Sequence, residues 1–258
     1  MASPIFYPAS PTDMGGGAAA GGGADLSALG FVEVDLTDGF TLTDPDGLVS
    51  ATENVAKVNK VTFNALAAGS TDYSWGSGNN QRAPRWVKSL TAPDGDGAEQ
   101  QILSGDTFIL QTVVQFETPD NRYAAEVVVA STVDGTGLDC FTNDAMGGLI
   151  RYNSTGNISY GIFTFNGYNA LASASNDRSV CTVVHAGARG QGGAYINLDS
   201  SGASLNGGSR NASMDYSDGT TSMQLMIGVG TNGSNTIGAG DDAQFRALYR
   251  VIRFSLPS

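Results

Sequence analysis

Three acidic residues near the start of the chain have the spacing of a carboxylate catalyst. Glu33, Asp35 and Asp38 stand in the stretch EVDLTD, and in an extended strand the first two fall on the same face. Two carboxyl groups about 5 Å apart can act as nucleophile and acid/base in glycoside hydrolysis. A turn follows at once at Asp38-Gly39, and turn-forming aspartates explain such a cluster without any chemistry. We therefore predict a protein that is not an enzyme.

The one histidine, His185, lies four residues after Cys181 in the apolar run CTVVHAG. A nucleophilic pair needs its two side chains within hydrogen-bond reach, about 3 Å. Four residues along one strand separate them by about 13 Å. We interpret His185 as structural, and Cys181 and Cys140 as free buried thiols, with a single bridge between them as the alternative.

Two acidic pairs resemble fragments of calcium loops, namely Asp94 with Asp96 and Asp44 with Asp46, and Asp241-Asp242 beside the final strand could join a site built from several loops. The candidate metal ligands are Asp94, Asp96, Asp241 and Asp242. Calcium takes six to eight oxygen ligands, and an EF-hand loop that began at Asp94 would need a glutamate where Gly105 stands. Turn-forming Asp-Gly pairs explain the first pair equally well. We predict no cofactor, and keep calcium at these four aspartates as the alternative.

Four aromatic residues in Gly/Ser/Asn-rich surroundings are the candidates for sugar binding: Tyr73, Trp75, Tyr168 and Tyr216. An aromatic ring offers an apolar face, and tyrosine and tryptophan add a polar group at the rim. The alternative is that these rings pack at the rim of the domain or at a subunit contact.

Composition excludes several classes of partner. The 258-residue chain has a net charge of −12 and a pI near 4.2, so it repels phosphate backbones and anionic membrane surfaces. The start of the chain has neither a basic region nor a long apolar core, and no stretch is long and apolar enough to cross a bilayer. We predict synthesis in a cytoplasm, with no nucleic-acid partner and no membrane insertion.

The first 24 residues form a predicted arm. Pro4, Pro8 and Pro11 favour an extended backbone, and Ile5, Phe6 and Tyr7 are apolar anchors between prolines. Residues 15–24, GGGAAAGGGA, have the composition of a flexible spacer. We predict that residues 1–24 dock onto a partner and that residues 25–258 form the folded domain.

The folded part reads as all-β, because short β-branched and aromatic runs alternate with Gly, Asn, Asp and Ser, and no amphipathic helical period occurs. Residues 245–256 have apolar side chains in both alternate sets, which predicts a central strand covered on both faces. Residues 107–117 and 122–132 are predicted to form a hairpin, and residues 200–219 a loop. The other predicted strands are 31–36, 40–42, 57–66, 85–90, 148–152, 158–165, 180–185, 193–198 and 223–229.

The order of these elements resembles the concanavalin A-like jelly-roll superfamily of lectins, laminin G domains and pentraxins. The resemblance rests on DGFTLTDPDGLV, the long pair DTFILQTVVQF and RYAAEVVVAS, and the closing FRALYRVIRFSLP. It implies a two-sheet antiparallel β-sandwich. Retaining β-glucanases of this superfamily carry Glu-x-Asp-x-(x)-Glu, which Glu33 and Asp35 match but Asp38 does not.

An arm, a lectin-like sandwich and an acidic pI together resemble accessory virion proteins of tailed bacteriophages. That resemblance implies a non-enzymatic capsid-decoration or fibre protein, which docks to other virion proteins, forms a homo-oligomer and binds a host glycan. A soluble carbohydrate-binding lectin is the alternative, and a β-glucanase-type hydrolase is the less favoured one.

Overall fold

The computed structural model describes residues 26–65, 83–103, 106–116, 123–130, 145–152, 158–164, 167–174, 181–188, 191–199, 205–212, 222–231 and 237–254. One turn of 3-10 helix, Leu26–Leu29, precedes a succession of β-strands. In chain order the strands are β1 Val32–Glu33, β2 Thr41–Thr43, β3 Val49–Val55, β4 Val58–Phe63, β5 Arg85–Ser89, β6 Thr91–Pro93, β7 Glu99–Gln101, β8 Thr107–Phe116, β9 Tyr123–Ala130, β10 Ala145–Tyr152, β11 Ile158–Thr164, β12 Gly167–Ala174, β13 Cys181–Ala188, β14 Gln191–Asp199, β15 Leu205–Ala212, β16 Gln224–Thr231 and β17 Asp242–Phe254.

The strands form two large sheets and one small hairpin. Sheet I has the order β15-β14-β13-β8-β17-β4-β3, with β1 also paired to β17. Sheet II has the order β12-β11-β10-β9-β16-β5-β2, and β6 pairs with β7. Every pairing is antiparallel, so the predicted all-β fold class, a two-sheet antiparallel sandwich, is confirmed. Among the described helices, none has the length and apolar character needed to span a membrane.

The core lies between the two sheets. On β17 the alternate residues Ala243, Phe245 and Ala247 are buried, and on β5 Trp86 is buried. The side of β5 that carries Trp86 also carries Lys88, whose Nζ lies 5.6 Å from the ring centroid of Tyr249 on β17. These two sides therefore face one another, and the opposite side of each sheet is its outer face.

The final strand lies inside sheet I, as predicted, between β8 on one edge and β4 and β1 on the other. The prediction that it is covered on both faces is wrong in part. Its outward residues Gln244, Arg246 and Arg250 are only half-buried, although Leu248 between them is buried. Long charged side chains can occupy this face because their stems cover apolar surface while their ends reach water or a counter-charge.

The predicted opening strand at residues 31–36 is much shorter in the structure, where β1 covers only Val32–Glu33. Beyond β1 the chain is held by the fully buried amide of Asn59. Asn59 donates from Nδ2 to the Val34 carbonyl at 2.8 Å and accepts from the Leu36 N–H at 2.9 Å. Both β4 and β1 pair with β17, and between them the Asn59 side-chain amide provides the hydrogen-bond partners of two backbone groups, the Val34 carbonyl and the Leu36 N–H.

The predicted hairpin of residues 107–117 and 122–132 is wrong. Its two segments appear as β8 and β9, but β8 lies in sheet I between β13 and β17, and β9 lies in sheet II between β10 and β16. Each strand has partners on both edges, so each is the interior of its own sheet, and the chain crosses from one sheet to the other between them.

Part of the predicted loop at residues 200–219 is strand β15, which forms the edge of sheet I. Strands β3 and β12 were also not predicted. All three are edge strands rich in small or polar residues, and such strands lack the apolar signal of interior ones. The tight turn between β3 and β4 places Ala56 and Lys57 at positive φ, 52° and 72°.

Candidate functional site

The outer face of sheet II carries Tyr168, one of the predicted sugar-binding residues. Residues directly opposite one another in neighbouring antiparallel strands lie on the same side of a sheet, so the register gives this face row by row. The first row is Thr41, Val87, Met226, Val128, Gly147, Phe163 and Tyr168; the second is Thr43, Arg85, Gly228, Glu126, Leu149, Gly161 and Ala170; the third is Gly230, Ala124, Arg151, Ser159 and Ser173.

Small residues make up much of these three rows. In them, only Arg85, Glu126 and Arg151 carry a charge. A sheet surface of glycine and alanine lets another molecule approach the backbone closely. The few charged and aromatic positions are then the ones that determine what this face can bind.

Arg85 is a fully buried cation in the second row. A guanidinium removed from water needs a counter-charge, because an uncompensated buried charge is very costly. The carboxylate of Asp44, which follows β2, accepts the Val49 N–H at 2.7 Å through Oδ2. Glu126 is the carboxylate of the second row, and it is separated from Arg85 only by Gly228, which has no side chain.

Tyr168 is the one predicted sugar-binding residue that lies within the described part of the chain. It stands on β12, the edge strand of sheet II, directly opposite Phe163. Tyr168, Gly161 and Arg151 form a diagonal across three adjacent strands and three successive rows. The β11–β12 register shifts between Tyr160 and Gly161, and such bulges are frequent beside binding sites.

The other predicted binding residues lie outside the described residues. These are Tyr73, Trp75 and Tyr216 of the predicted sugar site, and Ile5, Phe6 and Tyr7 of the predicted docking arm. Their roles, and the predicted boundary between an arm at 1–24 and a domain at 25–258, stay predictions.

Asp94 organises the turn between β6 and β7. Its Oδ1 accepts the N–H groups of Asp96 at 2.9 Å and Ala98 at 3.0 Å. This geometry is that of a turn-forming aspartate.

Asp241 and Asp242 lie at the start of β17. Asp241 accepts the Gly238 N–H at 2.6 Å, and Asp242 forms an ion pair with Lys60 at 3.3 Å. Across the described residues, no three His, Cys, Asp or Glu side chains are grouped so that they could hold a metal ion. Calcium at the four predicted aspartates stays a prediction.

Glu33 is engaged in an ion-pair network on the outer side of sheet I. Arg246 donates to both of its carboxylate oxygens, with Nε 3.2 Å from Oε2, and Lys57 Nζ lies 3.4 Å from Oε1. Asp35 accepts from the N–H of Thr37 at 2.9 Å and from its hydroxyl at 2.6 Å. The predicted common face of Glu33 and Asp35 is not formed, because the strand ends at Glu33.

Leu29 and Phe31, which precede β1, lie on the same outer side of sheet I. Arg250 donates to the Leu29 carbonyl at 2.8 Å, and its guanidinium lies 4.8 Å from the centroid of the Phe31 ring. Burial lowers the pKa of the Arg250 guanidinium from its ordinary value, and the group stays charged at neutral pH. The cation is thus held against an aromatic ring.

His185 and Cys181 lie on β13, inside sheet I, where His185 is opposite Leu110 and Ala194. Leu110 is fully buried, so this register position belongs to the inward side. Cys140 lies outside the described residues. The interpretation of His185 as structural is in keeping with its place in an interior strand.

Arg151 and Gly161 were not singled out from the sequence. Each stands in a polar, glycine-containing stretch with no motif around it, and only the strand register brings them beside Tyr168. The available signal was a lone arginine in the alternating run GGLIRYN.

Comparison with known proteins gives likeness of structure alone. No protein-family model and no curated protein matches the chain. A solved CBM2 module of the evolved Dit protein of Lactobacillus casei BL23 phage J-1 is 10% identical with a TM-score of 0.44, covering 85% of this chain and 94% of its own. Peanut lectin is 9% identical with a TM-score of 0.45, covering 88% and 98%.

A marine PL-14 alginate lyase from Aplysia kurodai is also similar, at 11% identity and a TM-score of 0.44, covering 86% of this chain and 90% of its own. Identities near one residue in ten and TM-scores below 0.5 transfer neither an activity nor a ligand to this chain.

Proposed function

We propose that this protein is a non-enzymatic glycan-binding protein whose binding surface is the outer face of sheet II around Tyr168. The observation that carries the proposal is the diagonal Tyr168–Gly161–Arg151. An aromatic residue, a glycine at a bulge and an arginine thus share one diagonal of a sheet face that is rich in small residues. An aromatic platform beside polar groups is the arrangement that sugars require.

The non-enzymatic part of the proposal rests on the contacts of Glu33 and Asp35, the two carboxylates that match the β-glucanase pattern. Glu33 forms ion pairs with Arg246 and Lys57. Asp35 is bound to Thr37, two residues further along the chain. A nucleophilic carboxylate needs a second carboxyl group about 5 Å away across an open cleft. Glu33 instead lies between two cations on the outer side of sheet I.

We further propose that the protein works on a phage particle as a capsid-decoration or fibre protein, made in the host cytoplasm and assembled as a homo-oligomer. In this scheme residues 1–24 attach the domain to another virion protein, and the outer face of sheet II binds a host-surface glycan. A soluble lectin is the alternative, because it would use the same face without the arm.

The binding face is tested by Tyr168→Ala on a glycan array, followed by calorimetry with the best ligand found. We expect affinity to fall at least about tenfold, since loss of an aromatic platform removes on the order of 1.4 kcal/mol or more. Tyr195→Ala is the matched control, because Tyr195 lies in the row of Arg250, Gln111 and Val184 on the outer side of sheet I. Equal affinity of the Tyr168 variant and the wild type would place the glycan elsewhere.

The arm is tested separately by deletion of residues 1–24. We expect the shortened protein to keep its melting temperature and its glycan binding, and to be absent from purified particles. Normal incorporation of the shortened protein into particles would remove the docking role of the arm and leave the soluble-lectin alternative.

A further inference from the structure

The three lysines of the chain differ in what surrounds their ammonium groups. Lys57 Nζ lies 3.4 Å from a carboxylate oxygen of Glu33, and Lys60 Nζ lies 3.3 Å from one of Asp242. Lys88 forms no ion pair and donates no hydrogen bond within the part of the chain that the structure describes. An ammonium in this state can donate charge-assisted hydrogen bonds to an anion from outside the protein.

Lys88 points into the space between the two sheets. Its Nζ lies 5.2 Å from the ring centroid of Phe40 and 5.6 Å from that of Tyr249, and all three residues are half-buried. Phe40 belongs to the segment that crosses from β1 in sheet I to β2 in sheet II. The two ring faces attract the cation and fix its position, but they do not replace the oxygen acceptors that its three N–H donors can bind.

The opening beside Lys88 has an apolar wall on one side and bare backbone on another. Val32 is directly opposite Tyr249 in the β1–β17 pair, so it lies on the same inward side, and it is 52% exposed. Gly39 is exposed and has a φ of 72°, and a Cβ at this position would lie 3.8 Å from Lys88 Nζ. Because glycine has no side chain, the ammonium can be approached past Gly39.

From this arrangement we propose that the opening binds a small monocarboxylate, with its carboxylate at Lys88 and its ring-shaped body against Val32. One ammonium matches one negative charge, and a chain with a net charge of −12 disfavours ligands of higher negative charge. A sugar acid and an aromatic acid share this chemistry. The inference goes beyond the proposed function, since the opening lies between the sheets and the proposed glycan face is the outer side of sheet II.

The test is NMR of the full-length protein labelled with carbon-13 at lysine Cε, in which each of the three lysines gives its own signal. The probes are galacturonate, benzoate and the uncharged methyl ester of galacturonic acid. We expect at least one acid to shift the Lys88 signal to saturation, with a dissociation constant on the order of 1 mM, and the ester to bind at least about tenfold more weakly. The acid that binds more tightly identifies the preferred body.

Substitution of the lysine tests the cation. Lys88→Met identifies the Lys88 signal by its loss, and it should reduce saturation transfer from the protein to the bound acid at least about tenfold. Lys88→Arg keeps the charge and should retain part of that transfer. Lys57→Met is the control, because Lys57 is already paired with Glu33. Melting temperatures of all variants verify that the fold is intact.

The apolar wall is tested by Val32→Ser, which should weaken binding of the acid about threefold, because it removes apolar contact area of about one methylene group. Val55→Ser is the matched control, since Val55 is another exposed valine, 65% exposed, at the end of β3. Equal weakening by the two variants would mean that Val32 does not contact the ligand.

Three results would overturn the inference. If all three lysine signals shift together and without saturation, the acids act only through ionic strength. If the ester shifts the Lys88 signal as strongly as the acids do, the carboxylate is not what binds. If galacturonate binds but leaves the Lys88 signal in place, its site is elsewhere. None of these results changes the outcome of the Tyr168→Ala test, so the proposed function stands or fails separately.

Discussion

The two outer faces of the sandwich use their charged residues in different ways. On sheet I, Arg246 and Lys57 share Glu33, Lys60 pairs with Asp242, and Arg250 lies against Phe31. On sheet II the charged positions are three, and they stand among glycines and alanines. Three cations of the first face contact the chain's own N-terminal segment, whereas the rows of the second face carry few charges, and its described residues Arg85 and Met226 are fully buried.

The comparison also separates two kinds of charged residue. Ion pairs on the outer side of sheet I are half-exposed, and such pairs contribute little to stability. Arg85 on sheet II is fully buried, and a buried charge depends on a compensating charge far more than an exposed one does. The same residue types should therefore have very different effects when they are removed from the two faces.

The largest effect is expected at Arg85. We expect Glu126 to be the counter-charge of Arg85, since the two share a row across Gly228. Arg85→Met should then lower the free energy of unfolding by about 3–5 kcal/mol, because it leaves that carboxylate uncompensated. In a double-mutant cycle, Glu126→Gln should cost much less in the Arg85→Met background than in the wild type. Urea unfolding of the four proteins measures this coupling. Additive effects of the two substitutions would mean that Glu126 is not the partner of Arg85.

The next largest effect is expected at Asn59, which joins the N-terminal segment to sheet I. Asn59→Ala removes the partners of the Val34 carbonyl and the Leu36 N–H, both in a buried setting, and should cost about 2–4 kcal/mol. Asn64→Ala is the control, since Asn64 makes an exposed hydrogen bond to the Gly47 carbonyl at 2.7 Å. The prediction is wrong if both variants melt at the same temperature.

A smaller effect is expected at Glu33. Glu33→Gln should cost no more than about 1 kcal/mol, because its pairs with Arg246 and Lys57 are partly solvated. The difference from the wild type should shrink in 1 M salt. Urea unfolding of both proteins at low and high salt measures this difference in the free energy of unfolding. A loss of several kcal/mol that salt does not change would put Glu33 in the same class as Arg85, and the contrast between the faces would fail.

The smallest effect, and one of opposite sign, is expected in the β3–β4 turn. Lys57→Gly should raise the free energy of unfolding by about 0.5–1 kcal/mol, because glycine adopts the φ of 72° without strain. Ala56→Val, which places a β-branched residue at the other positive-φ position, should lower it. If Lys57→Gly destabilises the protein instead, the contact of Lys57 with Glu33 outweighs the strain, and the charges of sheet I matter more than their exposure indicates.

The sequence predicts the fold class and the interior strands well, and the pairing of strands poorly. Residues 245–256 predict an interior strand because both alternate sets contain apolar residues, and β17 lies in the interior of sheet I. Residues 107–117 and 122–132 have the same pattern and a short connection, which predicts a hairpin, but two interior strands joined in this way can equally belong to different sheets. Local pattern gives the burial of a strand but not its neighbours.

The candidate site depends on that missing information. Tyr168 could be named from its polar surroundings, but Arg151 and Gly161 become its neighbours only through the β10–β11–β12 register. Asn59 is a similar case: an asparagine in the middle of a strand pattern reads as polar surface, and the structure buries it because two backbone groups of a distant segment need a partner.

The path of the first described residues has a consequence for how the domain would be presented. Leu29 and Phe31 contact Arg250 on the outer face of sheet I, and the strand register places Tyr168 and Arg151 on the outer face of sheet II. If the residues preceding Leu26 attach the protein to a particle, the outer face of sheet I would be the one nearer to that particle. The face that we propose to bind a glycan would then point away from the particle.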